Sequence, residues 1–303
     1  MAIANGDFET AEKEAAGVLA LNKEFAKAHL AMALAQLGSG RADEAEATWL
    51  RLQGVSAAGR DFAAHGRADL AMYEGRLSDA ARILEQAIAD PPEGRSTSST
   101  ARLMVTLGEV RELQGRAADA VKLAQEAVAQ SAEQSIALLT GRVLVGAGRA
   151  QRALELASQL EQKLDREAQL YGKLLEGEVD LKRGDARRAV EHFKEAQKLA
   201  DSWLGRYGLG RAYLAAGVYA NAQTELDTCL NTKKGEAATV LLDDVPTYRV
   251  MAAARYYMGR AQEGLGSAAA IESYKTFLAI KEKGDEQGLV ADARRRVAAL
   301  VAR

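Results

Sequence analysis

The chain has 303 residues, 48% hydrophobic and only 5% aromatic, so any large core must be packed mainly from small and aliphatic side chains. Its 40 basic and 42 acidic residues leave a net charge of -2, without the basic excess expected of a nucleic-acid binder. The lone cysteine, Cys229, cannot close an internal disulfide. No apolar run reaches the roughly 18–20 residues that span a bilayer, and the opening stretch MAIANGDFETAEKEAAG is too polar for a signal-peptide core.

From the N-terminus onward one pattern recurs: a glycine, a short polar step, then alanine five residues later. It reads GDFETA from Gly6, GRADEA from Gly40, GRLSDA from Gly75, GRAADA from Gly115, GRAQRA from Gly148, GDARRA from Gly184 and GVYANA from Gly217, with a degenerate GSAAAI from Gly266. Successive glycines are 34, 35, 40, 33, 36, 33 and 49 residues apart. Seven residues before each glycine from Gly40 onward stands a small residue: Ala33, Ala68, Gly108, Gly141, Gly177, Gly210 and Gly259. Two antiparallel helices per unit account for both marks. The glycine takes a left-handed cap at the end of the first helix, and the small residue lets the second helix approach, where the alanine meets it. Asp7, Ser78 and Asp185 stand at or near the capping positions of second helices.

A period near 34 residues with these marks resembles the tetratricopeptide repeat, and the resemblance covers nearly the whole chain. It implies an all-α fold, a right-handed α-solenoid of seven to eight helix pairs forming one domain over residues 1–303. Two departures interrupt it. Paired prolines and small polar residues predict a loop over 90–100, and the long final spacing predicts an insert over 231–249. In that insert Val240, Leu241 and Leu242 are expected to dock on a neighbouring helix, and Asp244 to cap a helix before Pro246. Residues 285–303 read as an amphipathic capping helix. The chain opens at a turn glycine without the preceding helix, which suggests a piece of a longer protein.

Motifs for chemistry are scarce. Gly264-Leu265-Gly266-Ser267 lacks the lysine of a phosphate loop. His29, His65 and His192 have no metal-ligating partner at helical spacing. Cys229 falls where a second helix packs and reads as a core residue. Asp243-Asp244 offers too few ligands for a divalent ion, and Arg294-Arg295-Arg296 reads as a solvated face. No enzyme activity, cofactor or metal site is expected.

The resemblance further implies that first helices line a concave groove, through residues thirteen, ten, six and three before each turn glycine. Tyr171, Tyr207 and Tyr256, with Arg211 and Arg260, are then the candidate contacts for a protein or peptide partner. Glu109, Arg142, Glu178 and Arg211 alternate in sign along successive helices and are expected to pair with one another. The asparagines Asn5, Asn22, Asn221 and Asn231 all lie outside these positions, which disfavours a carboxylate clamp for chaperone tails. The strings LLDDVPTYR, YYMGRAQEGLG and SYKTFLAIKEKGD resemble repeat regions behind the catalytic domain of bacterial eukaryotic-like serine/threonine kinases, although no kinase motif is present. A docking or sensing region of a signalling protein is therefore expected. A cell-envelope or secretion scaffold and the regulatory part of a transcriptional regulator are the alternatives. The cytoplasm suits the chain, or the periplasm if a membrane anchor precedes it.

Overall fold

The computed structural model describes residues 2–3, 6–231 and 247–302. In chain order the helices are α1 (Phe8–Leu21), α2 (Ala26–Gly38), α3 (Ala42–Gln53), α4 (Ala57–Tyr73), α5 (Leu77–Ala89), α6 (Thr97–Leu113), α7 (Ala117–Gln130), α8 (Gln134–Gly146), α9 (Ala150–Glu161), α10 (Arg166–Arg183), α11 (Ala186–Leu199), α12 (Trp203–Ala215), α13 (Tyr219–Asn231), α14 (Tyr248–Gly264), α15 (Ala269–Ile280) and α16 (Gly288–Val301). The described residues contain no strand. Seven helix pairs run from α2–α3 to α14–α15, with α1 before them and α16 after them.

The repeat marks act as the sequence predicts. All eight turn glycines adopt φ between 69° and 82°. Each turn from Gly40 onward is closed by the amide of the residue after the glycine, which reaches back five residues, as in Arg76 N–H to Ala71 O (2.8 Å) and Asp185 N–H to Asp180 O (2.9 Å). These bonds satisfy carbonyls that the helix end leaves open. The alanine five residues after the glycine is buried in every copy from Ala11 to Ala222. At Gly108 an added Cβ would stand 3.2 Å from the Ala120 carbonyl, so the two marks do meet.

Other details differ from expectation. Helix α6 starts at Thr97, where Ser96 Oγ accepts from Ser99 N–H (3.1 Å), so the expected loop is shorter at its C-terminal end. Most of the 231–249 insert, including Val240, Leu241, Leu242, Asp243, Asp244 and Pro246, lies outside the described residues. Asp7 and Asp185 cap their helices, accepting from Thr10 and Arg188 amides at 3.1 and 3.2 Å. Ser78 does not cap: it lies inside α5, and the cap comes from far along the chain. The Asp285 carboxylate accepts from the Leu77 amide at 2.6 Å, the Ser78 amide at 3.2 Å and the Ser78 hydroxyl.

That cap belongs to a larger junction. The Asp285 and Glu286 amides donate to Gly75 O at 2.9 and 3.1 Å. Buried Lys281 donates to Met72 O (2.9 Å) and pairs with Glu286 (2.7 Å). Tyr248 stacks on Tyr73 with centroids 4.5 Å apart. Helix α14 thereby packs on α4, and the first helices α4, α6, α8, α10, α12 and α14 each touch the next around a closed circle. The solenoid is a ring of six first helices, with their second helices outside and α1–α3 continuing beyond it.

Replacing Asp285 by Ala removes an N-cap and is expected to cost about 1–2 kcal/mol. Denaturant midpoints measure that loss, and hydrogen exchange at the Leu77 and Ser78 amides should quicken specifically. Unchanged protection at those two amides would show that the cap is not made in solution.

Candidate functional site

Closure decides what the concave side offers. In α6, α8, α10 and α12 the positions ten before the turn glycines, with those thirteen before in α10 and α12, are packed into the core. Val105 and Leu138 are fully buried, Leu174, Tyr171, Leu204 and Tyr207 nearly so, and all belong to the main core cluster. The other end of the ring, nearer the turns, holds a cavity of about 830 Å³ lined mainly by positions six and three before the glycines, with Tyr207 among the rest of its lining. Exposed Leu113, Lys182 and Gly288 mark its mouth. The concave face is therefore a cup with a packed floor rather than an open groove.

The five candidate contacts divide on this geometry. Tyr207, Arg211 and Arg260 line the cup; Tyr171 and Tyr256 do not. The Tyr171 hydroxyl donates to Glu167 at 2.7 Å. Tyr256 packs between Tyr274 and Phe277, at centroid distances of 5.9 and 5.7 Å, and donates to Asp292 at 2.6 Å. Helix α14 presents Arg249, Ala253, Tyr257 and Arg260 to the cavity. Tyr257 takes the place expected of Tyr256. Tyr207 meets Tyr257 edge-on (5.8 Å), and the Arg211 guanidinium lies 5.2 and 5.6 Å from these two ring centres. Burial pushes the Tyr207 hydroxyl up, so it stays protonated.

The charged level of the cup pairs differently from the expected ladder. Arg211 donates to Glu178 at 2.7 Å. Glu109, however, faces Arg249 rather than Arg142. Arg249 is 3% exposed and stands 3.4 Å from both Asp69 and Glu109, with none of its three guanidinium nitrogens hydrogen-bonded to the described residues. Arg142 has a buried Nη1 without a partner among the described residues. Arg260 donates to the Tyr256 oxygen (3.2 Å), and Lys182 to Gly146 O (3.2 Å). Burial, with Glu109 adding to it, raises the nearby Glu112 carboxyl. Burial also raises Asp69 to about 6, against the pull of Arg249, and lowers His65 to about 3, so His65 is neutral.

The remaining chemical candidates have structural roles. Cys229 is buried, its thiol pushed up by burial, and Trp203 Nε1 donates to its carbonyl at 3.0 Å. His29 bonds Lys23 O at 2.8 Å, and His192 lies 2.9 Å from Asp180 on the outer side. In the basic run, Arg295 and Arg296 both pair with Asp292, and Arg296 also with Glu263. Among the described residues no cluster of histidine, cysteine or carboxylate side chains could hold a metal, and no helix is long and apolar enough to cross a membrane.

Asp69 makes the α4–α14 junction sensitive to pH. Its value of about 6 in the fold exceeds its ordinary 3.8, so its contribution is complete below about 3.8 and lost as pH rises through about 6. Asp69→Asn lacks that titration. Its melting temperature should therefore rise relative to wild type between pH 4 and 7, and run parallel below pH 4. A difference independent of pH would contradict the burial of this carboxyl.

The model of the tetratricopeptide repeat family matches residues 2–56, 65–136 and 174–227. The match is to the repeat as such and ends at residue 227, and it gives no support to the expected resemblance of the C-terminal strings to kinase-associated repeats. Among solved structures, a thermophilic repeat protein of Thermus thermophilus is 18% identical over 67% of this chain and 100% of its own, with a TM-score of 0.49. The APC/C hetero-tetramer Cut9–Hcn1 is 14% identical over 98% of this chain and 47% of that one, with a TM-score of 0.43. No curated protein matches. With more than half its length matched in three segments, the chain belongs to the tetratricopeptide repeat family.

Proposed function

We propose that the chain is a non-catalytic interaction scaffold whose cup receives a short segment of a protein partner. Repeats of this family mediate protein–protein contacts, and the observation that carries the reading here is the lining of the cup. Tyr207 and Tyr257 supply rigid aromatic area, and Arg211 and Arg260 supply forked donors beside it. Aromatic and arginine side chains at the centre of a recessed surface dominate binding energy in interfaces of this kind. The packed floor limits the occupant to a segment entering from the turn side, because it blocks a peptide from lying along the whole solenoid. Placement as the docking or sensing region of a larger bacterial signalling protein rests on the C-terminal strings alone.

The test is partner affinity in cup variants. A protein captured by the wild-type chain should bind Arg260→Ala and Tyr257→Ala at least about tenfold more weakly, as expected for interface anchors. Melting temperatures of the variants check that the ring is intact. Unchanged affinity in both would remove the cup from the interface.

A further inference from the structure

We propose that the cup also holds a small, multiply charged anion, of the phosphate- or polycarboxylate-bearing class, between Arg142, Arg249, Arg260 and Lys182. Three cation–carboxylate pairs in the lining are internally matched: Arg211 with Glu178, Arg249 with Glu109, and Lys281 with Glu286. Removing them leaves Arg142, Arg260 and Lys182 against Glu112 alone, a surplus of positive charge in a recess. Burial and Glu109 raise the Glu112 carboxyl while Lys182 and Arg142 pull it down, and one carboxylate leaves two of the three cations unmatched.

The donors are also short of acceptors. A guanidinium carries five N–H groups. Arg249 is almost wholly buried yet makes no hydrogen bond from any nitrogen to the described residues. Arg142 buries Nη1 in the same state. Buried donors left this way are costly, and an acceptor placed among them relieves that cost. These groups come from α8, α10 and α14 and line one cavity, so no single helix satisfies them. A cavity of about 830 Å³ falls within the range of roughly 300–1,000 Å³ of small-molecule sites. Arginine forks suit phosphate and carboxylate oxygens, and charge-assisted bonds in a recess are the strong ones. An anion bridging α8, α10 and α14 would brace the closed ring, and so set whether a partner segment finds the cup open.

The experiment is isothermal titration calorimetry of the full chain with pyrophosphate and, separately, citrate, with sodium chloride at matched ionic strength as control. Saturable one-to-one binding by at least one of them is expected, with a Kd of about 1 mM or tighter. Arg142→Gln and Arg260→Gln should weaken it by about tenfold or more, while Arg187→Gln on the exposed outer face leaves it unchanged. Lys182→Gln, at the solvent-exposed mouth, keeps the test usable if a deeper variant melts early. No saturable heat with either anion, equal affinity in the cup variants, or reproduction by chloride would overturn the site. Partner capture measured in the same variants without added anion reports on the scaffold reading by itself, so the two fail separately.

Discussion

A helix pair of this chain has apolar surface on two sides and cannot bury both alone, so it must be sandwiched between neighbours. The last pair of a solenoid normally lacks one neighbour. Here α14 finds it in α4, the first helix of the second pair, and the row of units becomes a circle. The junction combines a ring stack between Tyr73 and Tyr248, a cap given by Asp285 to α5, and a buried guanidinium between two carboxylates. Each contact joins residues separated by 140 or more positions in sequence, so together they fix the curvature that local turns only permit. Once the curvature is closed, the interior has a definite volume and a definite set of side chains facing it.

Charge on the inner face follows from that geometry. In an open solenoid the alternating row Glu109, Arg142, Glu178, Arg211 would satisfy itself between neighbouring helices. Closing the ring brings Arg249 into the row from α14, and it takes a position beside Glu109 and Asp69. Arg142 is left with a buried donor lacking an acceptor among the described residues, and Asp69 is held where ionisation is unfavourable. A buried pair of this kind contributes little net stability, but losing one member is costly, because the other remains buried and uncompensated. Its effect is to fix how α14 sits against α4.

The repeat was legible because its marks are local. A glycine forced to positive φ, a small residue seven before it and an alanine five after it each report contacts within one helix pair. Every turn glycine named from the sequence adopts the left-handed conformation. The cup was only half legible. Tyr207, Arg211 and Arg260 were reached through the repeat offset and do face the interior. The same offset gave Tyr256, whereas Tyr257 lines the cup, because Asp292, Tyr274 and Phe277 of α15 and α16 hold Tyr256. Tyr171 obeys the offset but sits in a layer that closure has filled. Asp285 and Lys281 carried no local signal, since their partners lie more than 200 residues away.

Ring closure is tested most directly by a distance across the junction. Cys229 is buried, so spin labels placed on cysteines at exposed Arg82 and Lys283 would report that distance by double electron–electron resonance with little background. The closed ring predicts one short, narrow distance distribution, broadening when Asp285 is replaced by Ala. A long or broad distribution in the otherwise unaltered chain would mean that α14 and α4 are apart in solution, and the cup with its charge surplus would not exist as described.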